Sequence, residues 1–376
     1  MRVVYMSLMP VPGQPANSGV PKLSETLLRS FESLPGLSVD AVSLVDGLSD
    51  PLVFCRGNVT YRYFPCKARG KTATLYLAEI AVLKKIIAEL DPQIVHAQPT
   101  PEYLLAATIC HRPSILSVHG FAYKESSATS MFSPVRMVGV VRELLQYVAV
   151  ARAKNVFSMT EYLDHYLKRV SSAKIWRTHN PVGMEFFQLP PPRREGMRII
   201  CVGTVSARKN QELLIRACAQ LAKEGVGFEC RVIGRKTETA DILVSLVEKM
   251  NISDRVQFLS SLSNDEVAAQ YEWANVVVLP SLEETCPLSL MQAMACGRCV
   301  FGADAAGIPF LLKDQMYGTL FDPHDSNSLV SMIRCLLERP DVFWMKAGSA
   351  REYAVQHFVP DAIAKRTLEI YSSLVS

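Results

Sequence analysis

The segment richest in chemistry in this 376-residue chain pairs two carboxylates with a proline and an apolar helical pattern. It reads Pro280-Ser281-Leu282-Glu283-Glu284-Thr285-Cys286-Pro287, continues LSLMQAMACG to Gly297, and follows the apolar run NVVVL. The run predicts a buried strand. Pro287 suits the first turn of the helix that follows, Thr285 or Cys286 stands near its cap, and Gly297 ends it. A helix that opens there turns unpaired N–H groups and a partial positive charge toward whatever the loop binds. That end suits a phosphate or a negative oxygen, with a dipole contribution of about 0.3–1 kcal/mol. Leu288 and Gln292 are four residues apart on one helix face, so Gln292 looks back toward the same ligand.

A second segment, 201–217, reads CVGTVSARKNQELLIRA. A strand ends at Gly203, a polar loop carries Arg208 and Lys209, and a helix opens near Asn210. Two cations at a strand-to-helix turn suit a diphosphate, through charge-assisted contacts of about 1.5–3 kcal/mol each. As plain surface charges they would sit at the unfavourable end of the helix dipole. Elsewhere the signals are weaker. SVHGF places His119 at the carboxyl end of a buried strand, where a histidine is often a hydrogen-bonded core residue. Gly13 and Gly19 lie in the loop after the first strand.

The 280–297 segment resembles the signature of retaining glycosyltransferases of family 4, in which Glu-x7-Glu precedes Ala-Met-Ala-x-Gly. Glu284 matches the first Glu, Ala293-Met294-Ala295-Cys296-Gly297 matches the rest, and Gln292 replaces the second Glu. The resemblance implies the GT-B fold: α/β, two Rossmann-like βαβ domains facing across a cleft. It implies a nucleotide-diphosphate sugar donor and places Glu284 at the donor sugar and Gln292 at the ribose. Glutamine keeps an acceptor oxygen for a ribose hydroxyl and loses the charge. Lys209 takes the position of the family's phosphate-binding lysine. The family commonly has an Arg directly after the glycine of Gly203; here it is Thr204, and Arg208 stands in as the second cation. The remaining assignments follow from the same resemblance. Gly203, Thr285, Pro287 and Leu288 touch the donor, Gly234 and Arg235 lie at the base pocket, Gly19 approaches the phosphates, and His119 meets the donor sugar. Asn180, in WRTHNPVGMEFF, and Glu102 belong to the acceptor side. The likeness is strong over 197–322 and loose over 1–190.

The implied reaction is transfer of a sugar to an acceptor hydroxyl with retention, in polysaccharide, lipopolysaccharide or glycolipid assembly, without a metal and without a cofactor. A GT-B nucleotide-sugar epimerase, a phosphorylase, or an inactive sugar-nucleotide-binding protein shares the same features; Gln292 and Thr204 keep the last of these open. Other chemistries lack support. Cys296-Gly297-Arg298-Cys299 has CxxC spacing but straddles a helix end and a strand start, with no second ligand pair. There is no Gly-x-Gly-x-x-Gly, no P-loop and no Asp-x-Asp.

These residues need elements to hold them. Apolar, β-branched runs at 2–8, 37–45, 59–64, 93–98, 114–119 and 155–160 alternate with helical periodicity, for example at 75–90; the alternation restarts at 197. The triple proline 190–192 reads as a linker. The expected organisation is a first domain at 1–189, a hinge at 190–196, a donor domain at 197–359, and a helix at 360–376 that packs back on the first domain. Hydrophobic residues at 49% and charged ones at 20% exclude a mainly disordered chain. The start, MRVVYMSLMP, reads as a first strand and is too short for a signal-peptide core. Ten cysteines scattered through apolar segments point to reduced thiols and a cytoplasmic setting.

The 40 Lys and Arg against 36 Asp and Glu are too balanced to argue for nucleic acid. The balance is uneven along the chain: residues 1–195 carry 22 Lys plus Arg against 15 Asp plus Glu, and the remainder carries 18 against 21. Part of the basic excess is local, at Arg56, Arg62, Lys67, Arg69 and Lys71, interleaved with Tyr61, Tyr63 and Phe64. It reads as a solvated edge or as a face for an anionic membrane or glycan. The resulting expectation is a peripheral enzyme at the cytosolic membrane face, acting on a lipid-linked or anionic glycan acceptor.

Overall fold

The computed structural model describes residues 1–13, 19–67, 70–120, 134–235, 237–260 and 262–375, with the side chains of 134–136 excepted. The chain forms two compact units, Met1–Pro181 with Pro360–Ser376, and Val182–Val359.

Unit 1 holds β1 (Arg2–Met6), β2 (Ser38–Asp46), β3 (Leu52–Arg56), β4 (Val59–Cys66), β5 (Ile94–Ala97), β6 (Ser114–Val118), β7 (Asn155–Ser158) and β8 (Lys174–Arg177). They line up as β3-β4-β2-β1-β5-β6-β7-β8, parallel except for β3, which runs antiparallel to β4. The central strands β1 and β5 are almost wholly buried, because helices cover both faces of a parallel sheet. Two strands escape the sequence pattern. β3 joins as a hairpin through Gly57 at φ +51, where an added Cβ would lie 2.0 Å from the Glu32 carbonyl oxygen. β8 is a four-residue edge strand, Lys-Ile-Trp-Arg, too short to show an alternation and with no fully buried residue.

Asp40 is buried in the middle of β2 and takes hydrogen bonds from Arg2 on β1 (3.2 Å) and Arg62 on β4 (2.8 Å). That arrangement corrects part of the basic-face expectation: the charge of Arg62 is spent inside the sheet. Arg69 and the loop residues 14–18 lie outside the described residues. The helix Pro134–Arg152 is rich in apolar residues, and no described helix is long and apolar enough to cross a membrane.

Unit 2 holds β9 (Arg198–Val202), β10 (Glu229–Ile233), β11 (Val256–Leu259), β12 (Val276–Leu279), β13 (Cys299–Ala303) and β14 (Thr319–Phe321), ordered β11-β10-β9-β12-β13-β14 and all parallel. Its helices carry ordinary start signals. Ser263 and Glu266 form a capping box ahead of Asn264–Trp273. Of the ten cysteines, all free, Cys201, Cys218, Cys230, Cys296 and Cys299 are buried and Cys55 is exposed.

The proline-rich stretch is not a hinge. The chain enters unit 2 at Val182, whose N–H donates to the Phe358 carbonyl (3.0 Å), and returns to unit 1 at Pro360. Residues 190–196 therefore lie within unit 2, tied down by Arg298. That guanidinium is fully buried and donates to the carbonyls of Pro190 (3.1 Å), Tyr271 (2.7 Å) and Cys296 (2.9 Å). Arg298→Met should therefore lower stability by about 2 kcal/mol, read as a fall in the urea midpoint, because it strands buried acceptors. An unchanged midpoint would show that water replaces the guanidinium at no cost. The helix Pro360–Val375 belongs to unit 1, where Ile363, Ile370 and Tyr371 are buried.

Candidate active site

In unit 2 the chain runs from β9 to β10 on one side and later to β12 on the other, so the sheet reverses its winding between β9 and β12. Loops leaving the carboxyl ends of two such neighbours must diverge, and the gap is where open α/β sheets hold ligands. The two segments singled out from the sequence leave these two strands. After β9 come Gly203, a short 3-10 turn Ala207–Lys209, and the helix Gln211–Lys223, entered through Asn210 at φ +54. After β12 come Pro280, the carboxylate loop and the helix Leu288–Ala295, with Pro287, whose side chain has no hydrogen-bonding group, at the cap position.

The loops are stitched together. Leu282 N donates to the Arg208 carbonyl (2.9 Å), and Arg208 Nη1 donates to the Glu283 carbonyl (2.6 Å) and reaches Glu284 Oε1 at 3.4 Å. Lys209 Nζ forms an ion pair with the same Oε1. The structure thus brings Arg208, Lys209 and Glu284 to one point, with the Lys209 and Glu284 side chains only 14% and 11% exposed. A lysine ammonium has three N–H donors and a guanidinium five, so both cations keep donors for an anion beyond the carboxylate.

Glycines make room for this cluster. A Cβ on Gly203 (φ +155) would stand 3.3 Å from Lys209 Cε, and one on Gly234 would stand 2.0 Å from the Gly203 oxygen. Gly307 is a residue that sequence reasoning missed. Its N–H donates to the Glu284 carbonyl (2.7 Å), and a Cβ there would meet the Thr285 oxygen at 2.0 Å. The only signal for it was a glycine shortly after a strand. Leu288 and Gln292 are partly exposed on the same helix, and Arg235 is exposed after β10. Gln292 and Arg235 make no side-chain hydrogen bond among the described residues, so they stand apart from the cluster.

Unit 1 holds the other assigned residues. Gly19 opens the helix Gly19–Phe31 at φ +63. Glu102, on the helix Pro101–Ile109, is buried, and burial raises its carboxyl above the usual range while Lys71 and Arg142 pull it back. His119 follows β6 and bonds through Nε2 to Gln98 Oε1 at 2.7 Å. Burial pushes its imidazole down to about 4; the nearby Asn180 side chain opposes this, although Nδ1 itself makes no hydrogen bond. His119 and Asn180 line a cavity of about 30 Å³, water-sized, together with Thr178, Phe157 and Met159. Gln98 is a second residue that the sequence did not reveal. Among the described residues no group of three His, Cys, Asp or Glu side chains could hold a metal ion, and Cys296 and Cys299 are free.

Comparison with known proteins places these features in a family. Residues 186–355 match the family described as glycosyl transferases group 1, and residues 36–158 match glycosyl transferase 4-like. A D-inositol 3-phosphate glycosyltransferase of Mycolicibacterium smegmatis is 31% identical over 165 residues, 43% of this chain and 38% of that protein. The match therefore spans about two-fifths of the length of that relative. Sucrose-phosphate synthase from Thermosynechococcus elongatus superposes with a TM-score of 0.78 at 20% identity, covering 99% of this chain and 98% of the other. Anabaena HepE in complex with UDP and glucose gives 0.74 at 16% identity, over 99% and 100%. Both structural likenesses concern the fold. With both halves of the chain matched and the signature residues gathered at the β9–β12 switch point, this chain belongs to the group 1, family 4-like glycosyltransferases of GT-B fold.

Proposed function

We propose that the protein transfers a sugar from a nucleotide-diphosphate donor to an acceptor hydroxyl with retention at the anomeric carbon, using no cofactor and no metal. The observation that carries this reading is the convergence of Arg208, Lys209 and Glu284 in the loops after β9 and β12. Breaking the glycosidic bond places negative charge on the leaving diphosphate and positive charge on the sugar ring. Arg208, Lys209 and the N–H groups of Leu288 and Ser289 at the helix end supply preorganised positive charge for the former. Glu284 orients sugar hydroxyls, Gln292 holds a ribose hydroxyl, and His119 takes part on the sugar. No candidate covalent nucleophile stands out among the described residues, and attack of the acceptor on the leaving-group side is the step this reading takes. The UDP and glucose bound in the Anabaena structure support UDP-glucose as the first donor to try. The relatives' names support a sugar phosphate or polyol acceptor. The basic excess of residues 1–195 supports an anionic or lipid-linked glycan acceptor at a membrane face.

The test is nucleotide release from UDP-, GDP-, ADP- and CMP-sugars, with and without chelator, followed by NMR of the product's anomeric configuration. Release from one donor class, unaffected by chelator and with the configuration kept, is the expected result. Donor binding without release under any acceptor would identify a binding protein instead, and dependence on free phosphate would identify a phosphorylase. Loss of activity in chelator that manganese restores would overturn the metal-free scheme.

A further inference from the structure

Helices that join parallel strands run back along the sheet, so their first turns stand beside the carboxyl ends of the strands. In unit 1 the helix Leu77–Leu90 leads into β5 and the helix Pro134–Arg152 joins β6 to β7, and the helix Pro101–Ile109 packs against both. Their inner sides are ordinary: Ile80, Leu83 and Ile87 of the first, and Ala149 and Val150 of the second, enter one core. Their outer sides are not. Leu75 stands in the turn before the first helix, followed by Leu77 and Val82 in its opening turns. Met137, Val140 and Leu144 form a single stripe at the start of the second, at i, i+3 and i+7. All six are exposed, Leu77 by 66%, Met137 by 65% and Leu144 by 61%. Single exposed apolar residues are normal, whereas a gathered set on adjoining elements marks an interaction surface.

The charges beside this set have one sign. Lys67, Lys84, Lys85 and Arg142 are exposed, whereas Glu79 and Glu102 are buried and Glu143 is half-buried. Among the described residues of 67–85, 101–109 and 137–146, no exposed side chain is anionic. Lys71, ahead of the first helix, and Arg142, on the second, both act on the buried Glu102 of the middle helix, which ties the two apolar stretches into one rim. The rim is displaced from the basic and aromatic stretch that the sequence singles out: Tyr61 and Tyr63 are buried and Arg62 is paired with Asp40. A second copy of the chain would set cations against cations here. A bilayer with anionic headgroups meets both features, taking Leu, Val and Met into the acyl boundary and the cations at its phosphates.

We propose that the first turns of the helices Leu77–Leu90 and Pro134–Arg152 form a docking surface for an anionic lipid bilayer, which turns the carboxyl ends of β5 and β6 toward the membrane. Docking needs no assumption about chemistry. That the bilayer also delivers a lipid-linked acceptor to that edge of the sheet rests on the transferase reading.

The test is co-sedimentation of the purified chain with vesicles of phosphatidylcholine alone and of equimolar phosphatidylcholine and phosphatidylglycerol. Partition into the anionic vesicles should exceed that into the neutral ones at least about ten-fold, and Leu77→Glu/Leu144→Glu should lower it by a similar factor. Lys84→Gln/Lys85→Gln should weaken binding and flatten its salt dependence. Ile242→Glu/Met345→Glu, which places the same charge on exposed apolar residues of unit 2, should bind as the parent does. Equal partition into both vesicles, or a Leu77→Glu/Leu144→Glu protein that sediments like the parent, would overturn the proposal. So would a dimer, seen by sedimentation velocity, that the same double variant dissociates, since the rim would then belong to a second copy. Nucleotide release in solution, measured on the same proteins, keeps docking and transfer apart. Leu77→Glu/Leu144→Glu should release nucleotide at the parental rate, and a chain that binds vesicles but turns over no donor keeps the docking surface and loses the transferase reading.

Discussion

Glu284→Ala should lower kcat for sugar transfer by about 10²–10³-fold, equivalent to about 2.7–4 kcal/mol of lost transition-state stabilisation. Lys209→Ala should cost a similar factor and raise the donor KM as well, since a diphosphate is bound before it leaves. The geometry adds a sharper expectation. Glu284 Oε1 is shared by Lys209 and Arg208, so either single change leaves a partly buried charge with fewer partners. The double variant Lys209→Ala/Glu284→Ala should therefore be little worse than the poorer single variant. Residues that act as a unit are not additive. Steady-state nucleotide release with the donor found by the screen gives all four corners of the cycle. Additive losses, or a single variant with full turnover at saturating donor, would remove the shared site.

Acidification should destabilise unit 1 through the buried His96 and the partly buried His119. Burial pushes His96 down to about 3, with His119 adding repulsion, and pushes His119 down to about 4. Both folded values lie below the unfolded value of about 6.5, so the unfolded chain binds more protons between these limits. The stabilisation is therefore complete above about pH 6.5 and is lost progressively as the pH falls toward the folded values. Between about pH 7 and pH 5 each histidine should cost about 2 kcal/mol, and the pair about 4 kcal/mol. Glu102 works in the opposite sense: its raised carboxyl favours the folded state as the pH falls. The clean measurement is a difference, the urea stability at about pH 7 and pH 5 of the parent against His96→Gln/His119→Gln. The parent should lose about 4 kcal/mol more than the double variant. Equal losses would show that the imidazoles are not buried and neutral.

The units differ in how openly the sequence declares them. The helix Leu288–Ala295 and the turn Ala207–Lys209 were legible because proline, glycine and paired charges mark strand-to-helix turns directly. β3 was not, because an edge strand added by a hairpin carries no core-facing pattern of its own. The prolines at 190–192 mark a break in secondary structure, which sequence reading takes for a break between domains. The buried Arg298, more than a hundred residues away, decides that they belong to unit 2. Arg62 likewise reads as a surface cation until the β2–β4 register sets it against Asp40.

What the residues determined alone is the chemistry available: two cations after one strand, a carboxylate after another, and glycines where no side chain fits. These are local properties, set by a few consecutive residues and the backbone they allow. What only the tertiary structure decided is which groups share a proton or a charge. Strand order put β9 beside β12 and joined Lys209 to Glu284 across 75 residues; it put β5 beside β6 and joined Gln98 to His119 across 21. A parallel sheet separates neighbours in space from neighbours in sequence, and hydrogen bonds and ion pairs act only over a few ångströms.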